Sequence, residues 1–320
     1  MLRKLVLALF VLVIVGLGVF WFLTRPTRVA ASTLPSYSAD VERGKRIFFA
    51  AGCASCHVSQ GQSDPAMLGG GMAFPSPFGT FYAPNISPSP AGIGGWTADE
   101  FATALLKGVS PANQHYYPAF PYTTYQRMKI EDVLDLFAYM KTLPAVDTPD
   151  KPHDLPLPFR LRRGLGLWKL LYLDGKPFMP DASKTDEQNA GAYLVEAMGH
   201  CAECHSPRDL LGGIAADKRY AGGIDIEKGD WVPNLTPGKG GIPHWTEQEL
   251  VDVLTTGTTP EFSEVGGTMA AVVRNTSRLD EADRKAIASY IKSLPPREGE
   301  RPPAKAAEPA VPAASPAPAQ

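Results

Sequence analysis

An uninterrupted apolar run opens the chain, and amphipathic helical patterns separated by stretches rich in glycine and proline follow it. Leu5 to Leu23 contains no charged residue, and a helix of that length spans about 28 Å, close to the thickness of a bilayer core. Arg3 and Lys4 precede the run, and Trp21 lies where an interfacial aromatic residue is expected. The pattern predicts an uncleaved membrane anchor within residues 1–30, because the apolar core of a cleaved signal peptide is usually only about 7–15 residues long.

Helical hydrophobic spacing then recurs three times in each half of the chain, in the same order. Each first helix stops at a glycine beside a cysteine pair, and each second helix opens with a Thr-x-x-Glu capping box and stops at another glycine. Each third helix ends in a Leu-Pro sequence. The predicted helices are 40–51, 97–108 and 130–140 in the first half, and 187–198, 246–257 and 286–294 in the second.

Blocks of sequence also repeat at a nearly constant offset. Cys53 and Cys201 are 148 residues apart (201 − 53), and Trp96 and Trp245 are 149 apart (245 − 96). An offset this steady predicts two homologous domains. We place them at residues 31–146 and 183–296, with an interdomain segment at 147–182 and a disordered Pro/Ala-rich tail at 297–320.

Composition narrows the classes of partner and of function. A net charge of −2 and a pI near 6.3 give no reason to expect a nucleic-acid partner. The 31 prolines and 30 glycines imply long loops, which are unusual in a compact domain unless something other than side chains fills its core. No acid, base or nucleophile has a recognisable partner in the sequence, so no catalytic residue is predicted.

All the cysteines of the chain lie in two Cys-x-x-Cys-His motifs. A zinc site would require ligands from separate repeats to meet, a thioredoxin-like pair would need a βαβ context, and a disulfide within so short a motif is a poor staple. None of these explains a histidine directly after the second cysteine, twice. Covalent attachment of c-type haem does, with two thioethers to the vinyl groups and the histidine as proximal iron ligand. The residues predicted to hold two haem c groups are Cys53, Cys56, His57, Cys201, Cys204 and His205.

Six blocks of sequence carry a resemblance to a known family. They are "GCASCH", "APNISPSPAGIGGWT", "HYYPAFPYTTY", "GHCAECHSP", "VPNLTPGKGGIPHWT" and the stretch from "GGTMAAVV" to "IKSLP". Each half resembles a class I cytochrome c, and the whole resembles the membrane-anchored dihaem cytochrome c subunits of periplasmic dehydrogenases. The resemblance implies a mostly α fold, with two tandem cytochrome c domains after one N-terminal transmembrane helix. It also implies haem attachment after export, with the domains on the periplasmic side of a bacterial inner membrane.

The sixth iron ligand of the second domain is expected to be Met269. It lies 64 residues after His205 (269 − 205), between the capped helix and the last helix. Position and resemblance both favour ligation by its thioether, which stabilises ferrous haem.

The first domain departs from this pattern. Phe120, 63 residues after His57 (120 − 57), stands where class I cytochromes often have a methionine before a proline, and phenylalanine cannot ligate iron. We expect Met128 to be the ligand, with His115 or an open position as alternatives. Core packing is the other role open to Met128, because Leu279 occupies its equivalent position in the second half.

These patterns predict electron transfer rather than catalysis. The family resemblance implies a periplasmic dehydrogenase as the electron donor, and the expected acceptor is quinone, a cytochrome or a terminal oxidase of the respiratory chain. The alternative is a dihaem enzyme in which one open haem acts on a small substrate such as peroxide or a sulfur oxyanion. The unduplicated segment from Asp150 to Asp181 interleaves basic and large apolar residues, and it is expected to clamp the domains together or to form a docking or membrane-surface patch. Asn85 and Asn234, with Trp96 and Trp245, are expected either beside the haems or in loop-to-helix packing.

Overall fold

The computed structural model describes residues 1–224 and 229–299, and most of its regular structure is helical. Helix α1 (Leu2–Leu23) has no buried residue, and by length and composition it is the one helix in the described ranges suited to cross a membrane. Most of the predicted tail, residues 300–320, lies outside the described residues.

Each half has the predicted order of helices. The first half contains α2 (Val41–Ala50), α3 (Cys53–His57), the hairpin β1 (Ala73–Ser76) and β2 (Gly79–Tyr82), α4 (Ala98–Lys107), α5 (Tyr122–Tyr125) and α6 (Ile130–Met140). The interdomain segment contains α7 (Leu157–Arg160) and α8 (Leu165–Tyr172). The second half contains α9 (Asp186–Tyr193), which continues as a π-helical turn over Leu194–Met198, then α10 (Ala202–His205), the short hairpin β3 (Gly223–Ile224) and β4 (Trp231–Val232), α11 (Glu247–Thr256), α12 (Gly267–Thr276) and α13 (Glu281–Lys292).

The predicted helix start and stop signals act as expected. In α4 the backbone N–H of Thr97 donates to Glu100 Oε2 at 3.0 Å, and the N–H of Glu100 donates to Thr97 Oγ1 at 3.4 Å. Thr246 and Glu249 form the same capping box at the start of α11. Gly108 ends α4 with a φ of +58°, in the left-handed region that a residue with a side chain rarely adopts.

In each half the first and last helices cross at a glycine. A Cβ on Gly44 of α2 would lie 2.1 Å from the carbonyl oxygen of Asp135 on α6, and a Cβ on Gly191 of α9 would lie 1.8 Å from that of Ala286 on α13. No side chain fits in either gap, so backbone contact between these helices requires glycine at both equivalent positions. The buried apolar residues pack around these crossings in one continuous core.

The two halves face each other through reciprocal contacts. Arg46 of α2 forms a bidentate ion pair with Asp283 of α13, at 2.6 and 2.5 Å. In the opposite direction, the hydroxyl of Tyr193 on α9 donates to the carboxylate of Asp132 on α6. Because α2 corresponds to α9 and α6 to α13, this exchange gives the interface an approximate twofold axis.

The interdomain segment contacts both halves. The ammonium of Lys169 on α8 donates to the carbonyl oxygens of Lys107 and Gly108 at 2.7 and 2.6 Å, where it caps the C-terminal end of α4. On the other side, Trp168 Nε1 donates to the carbonyl of Leu211 in the second half at 3.0 Å. One short helix therefore ties the two domains together.

The end of α1 is held by the same segment. Thr24 is fully buried, and a Cβ on Gly166 of α8 would lie 2.6 Å from its Cα. Arg163 Nε donates to the Thr24 hydroxyl at 2.9 Å, and His115 Nε2 donates to the Thr24 carbonyl at 2.8 Å. The chain therefore leaves α1 in a fixed direction rather than through a free linker.

Replacing Gly44 with alanine should destabilise the first domain. The added methyl group would meet the Asp135 carbonyl, and overpacking of this kind costs about 1–3 kcal/mol. Chemical unfolding of the full chain in detergent, followed by circular dichroism, measures the change. The matched control is Gly95→Ala, because nothing lies within 4 Å of a Cβ there, and its effect should stay within about 0.5 kcal/mol. Equal unfolding midpoints for the two variants would contradict the close crossing.

Candidate haem sites

Each Cys-x-x-Cys-His motif folds as a helical turn entered from a residue with left-handed backbone. Gly52, with φ +63°, precedes α3, and His200, with φ +39°, precedes the turn that contains α10. Positions i, i+3 and i+4 of a helix share one face. Both thiols and the imidazole of each motif therefore project from the same side of one turn, as attachment to a single flat ring requires.

Both motif histidines are held in the same orientation. His57 Nδ1 lies 2.8 Å from the carbonyl oxygen of Pro84, and His205 Nδ1 lies 2.8 Å from that of Pro233. A carbonyl only accepts, so Nδ1 carries the proton and Nε2 keeps its lone pair, which is the arrangement of a metal-ligating histidine. Burial also lowers the pKa of both imidazoles, which favours their neutral, ligating form. The residues present thus fit a haem c group at each motif.

The cysteines remain available for covalent attachment. None of the four, all within the described residues, is joined in a disulfide. Burial, reinforced by the neighbouring sulfur of Cys56, raises the pKa of Cys53 to about 12. Burial raises the pKa of Cys201 to about 12 as well, with Glu196 adding to it. Before a haem is attached, both groups are therefore neutral thiols at physiological pH.

Two equivalent asparagines hold the loops that present the proline carbonyls. Asn85 Nδ2 donates to the carbonyls of Val146 and Thr148 at 2.6 and 2.9 Å. Asn234 Nδ2 donates to the carbonyl of Arg297 at 2.9 Å. Each contact joins the loop after the motif to the segment beyond the domain's last helix. The side chains of both asparagines therefore hold these loops in place, and a position beside the haems stays a prediction.

The two motif turns also dock on each other's domains. Asn275 Nδ2 of α12 donates to Ser55 Oγ at 2.8 Å, and Thr123 Oγ1 of α5 donates to Glu203 Oε1 at 3.0 Å. Ser55 and Glu203 are the same position, directly before the second cysteine of each motif. Neither contact was predicted from the sequence, although polar residues at this repeated position are the signal that would have pointed to it.

His200 lies between the motifs. Its ring is 6.0 Å from that of Tyr125, and its Nε2 would be 3.9 Å from a Cβ on Gly52. The Tyr125 hydroxyl donates to the carbonyl of Ala51, the residue before Gly52, at 3.0 Å. The N-terminal ends of the two motif turns are therefore in contact across the interface.

A half-buried carboxylate makes the surroundings of the second motif more polar than those of the first. Glu196 accepts from the hydroxyls of Tyr220 and Tyr290, each at 2.7 Å, and forms an ion pair with Arg219. With the offset of 148, the equivalent residue of the first domain is Phe48, which is 1% exposed. The two sites thus have similar geometry and different electrostatics.

Met269 lies in the first turn of α12, half-buried against the core of the second domain. The corresponding part of the first domain is not helical before Tyr122, because Pro118 and Pro121 have no N–H to donate. The predicted sixth ligand of the second domain thus has a helical setting that the first domain lacks.

Met128 is a core residue and lies where Leu279 lies in the second domain. Its N–H donates to the carbonyl of Tyr125 at 3.0 Å, as that of Leu279 does to Thr276 at 3.1 Å. Both side chains are buried, at 3% and 5% exposure, directly before the last helix. Phe120 is half-buried and packs its ring 5.6 Å from that of Tyr125. Ligation by Met128 remains a prediction beside this packing role.

His115, the alternative ligand, lies at the end of α1. Its Nε2 is committed to the Thr24 carbonyl, and it is 4% exposed. Ligation of iron through Nε2 would therefore break the contact that holds the exit of α1.

Comparison with known proteins finds the same family in both halves of the chain. The sequence profile described as cytochrome c matches residues 41–144 and 188–295. The chain is 44% identical over 296 residues to a "Diheme cytochrome c-type" protein of Cereibacter sphaeroides, covering 92% of this chain and 98% of that protein.

Cytochrome subunits of dehydrogenases are also similar. The fructose dehydrogenase cytochrome subunit of Gluconobacter japonicus is 38% identical, with 89% of this chain and 58% of that protein covered. The gluconate 2-dehydrogenase cytochrome c subunit of Pantoea cypripedii is 33% identical, with 80% and 60% covered. Cytochrome c domains imply covalently bound haem c, and two domains fit two haems. Because the profile accounts for most of the chain in two separate stretches, this chain belongs to the cytochrome c family and consists of two cytochrome c domains behind an N-terminal apolar helix.

Proposed function

We propose that this chain is a membrane-tethered dihaem cytochrome c that relays single electrons from a periplasmic dehydrogenase to the respiratory chain. The observation that carries the proposal is the closeness of the two motif turns at His200 and Gly52. Electron relay requires two centres at a short and constant separation, and reciprocal contacts such as Arg46 with Asp283 keep the turns together.

The chain's own residues serve this task by binding and orientation. When bound, the haem irons supply the one-electron change between ferric and ferrous states. The four motif cysteines attach the two groups, and the Pro84 and Pro233 carbonyls hold the imidazole rings of His57 and His205 in place. Because the two histidine ligands are held rigidly, the protein around each iron would be similar in the ferric and ferrous states. This similarity favours electron transfer without a large structural change.

The choice of partners draws on the relatives. Several similar proteins are cytochrome subunits of dehydrogenases for fructose, gluconate or alcohol, so the proposed donor is a substrate-oxidising subunit of that class. The proposed acceptor is quinone, another cytochrome or a terminal oxidase. The 22-residue apolar helix α1 supports a single-pass anchor in a bacterial inner membrane, with both domains in the periplasm.

Isolation of the tagged full chain from its own membranes tests the relay. A mild detergent should co-isolate a dehydrogenase subunit, and sugars, polyols or alcohols offered as a panel should include one that reduces the haem absorption. Two electrons per chain should be taken up in a redox titration, because each domain accepts one. A chain isolated without a dehydrogenase subunit, whose haems no substrate of the panel reduces, would contradict the proposal.

We also propose Met269 and Met128 as the sixth ligands. Met269→Leu and Met128→Leu should each abolish the near-infrared methionine-to-iron charge-transfer band of one haem and lower its reduction potential, since a thioether stabilises ferrous iron. Leucine keeps the packing volume, so the cost in stability should be less than about 1.5 kcal/mol. Magnetic circular dichroism and a redox titration measure the two effects.

The matched control is Met179→Leu, because that methionine is 75% exposed and both bands should remain. If Met128→Leu leaves two bands intact, the ligand of the first haem lies elsewhere. If the unaltered protein has one band and one high-spin haem, the first haem has an open position.

An open position on the first haem would correspond to a second candidate function. Phe120 stands where a ligating methionine is expected, and the shared position of Met128 and Leu279 favours a packing role for Met128. An open first haem would suit an enzyme acting on peroxide or a sulfur oxyanion. Cyanide binding to the oxidised protein, together with substrate turnover, would favour this function over electron relay.

A further inference from the structure

Helix α8 turns three of its leucines away from the protein. It buries Gly166 and Lys169, whereas Leu167, Leu170 and Leu171 are 44%, 58% and 66% exposed. A surface helix in water has the opposite arrangement, with its apolar stripe against the core. The outward face of α8 is therefore built to contact something other than water.

Neighbouring elements extend this face. Leu161, just before α8, is 74% exposed, and a loop of the second domain adds Leu210 and Leu211 at 104% and 60%. The loop is fastened to α8 by the Trp168 indole, which donates to the Leu211 carbonyl at 3.0 Å. We call this surface the leucine collar, and its members are Leu161, Leu167, Leu170, Leu171, Leu210 and Leu211.

The leucine collar begins where α1 ends. Arg163 donates to the carbonyl of Trp21 in the last turn of α1, and its guanidinium lies 4.1 Å from the centre of the Trp21 ring. Gly166 of α8 packs directly on Thr24, the residue after that turn. A bilayer that surrounds α1 therefore has its surface at the height of α8.

The charge of the segment suits an anionic surface. From Leu155 to Leu173 the chain contains no acidic residue. Of its four basic residues, Arg160, Arg162 and Arg163 are at least partly exposed, whereas Lys169 is buried against the end of α4. Basic groups beside a membrane helix are attracted to anionic lipid headgroups, while adjacent apolar side chains enter the boundary between headgroups and acyl chains.

We propose that the leucine collar is a membrane-surface contact that enters the interface of an anionic bilayer beside α1. The inference rests on the proposed membrane anchor and adds a second, peripheral attachment to it. Because α8 also contacts both haem domains, this attachment fixes their orientation relative to the membrane. The haem domains then face their acceptor at a constant height, instead of swinging on a tether.

Photo-crosslinking in the full-length holoprotein tests this contact. Benzoylphenylalanine replaces Leu170 or Leu171 in protein reconstituted into vesicles of phosphatidylethanolamine and phosphatidylglycerol, and mass spectrometry detects lipid adducts. Val13 in α1 is the positive control, and Phe262, which is 92% exposed in the loop after α11, is the matched negative control. We expect adducts at positions 13, 170 and 171 and none at 262, in chains whose haem absorption is unaltered.

Four outcomes would overturn the proposal. Adducts at position 13 without adducts at 170 and 171 would leave the anchor standing and remove the leucine collar. Absence of an adduct at 13 would contradict the anchor itself, and with it the inference. Equal adducts at 262 would show unspecific contact with lipid. Crosslinking of 170 or 171 to a protein subunit in native membranes, in place of lipid, would identify a protein as the occupant of this face.

Discussion

The hydrogen bond from a motif histidine to a proline carbonyl is the constraint around which each domain is arranged. It requires the loop after the motif to return over the imidazole ring and stop there with its carbonyl pointing at Nδ1. A proline supplies a rigid backbone at that point, and the following asparagine joins the loop to the far end of the domain. The long glycine- and proline-rich stretches are therefore fixed elements of the fold, although they contain little regular structure.

The two domains differ in ways that matter more for function than their shared fold. A half-buried carboxylate lies beside the second motif, whereas a phenylalanine occupies its equivalent position in the first. Helix α12, which carries Met269, has ten residues, whereas its equivalent in the first domain, α5, has four because prolines precede it. Charge and ligand type are among the main determinants of a haem potential. Duplication thus produced two sites with the same attachment geometry and separately adjustable electronic properties.

Local features of the fold could be predicted from the sequence because they depend on neighbouring residues. The capping boxes at Thr97 and Thr246, and the glycine at the end of α4, follow from contacts three or four positions apart. The repeat and the family resemblance then supplied the order of the helices and the attachment residues.

The interface between the two domains and the contacts that hold the end of α1 could not be predicted in the same way. Arg46 meets Asp283 across 237 positions, and Ser55 meets Asn275 across 220. Nothing in the sequence indicates which distant residue each of them contacts. The outward face of α8 was open to two interpretations for a related reason, since its spacing gives an apolar stripe but not the direction that the stripe faces.

Two residues with left-handed backbone lie at the interface between the domains, and their difference has a consequence for how the two halves can vary. Gly52 and His200 are equivalent residues that lie close together near the approximate twofold axis, where a Cβ on Gly52 would be 3.9 Å from the imidazole. In a dimer of identical domains both positions would change together, so that a histidine at one would bring a histidine at the other. Two copies in one chain are free of this coupling, so that one half can have a histidine at the interface while the other has glycine.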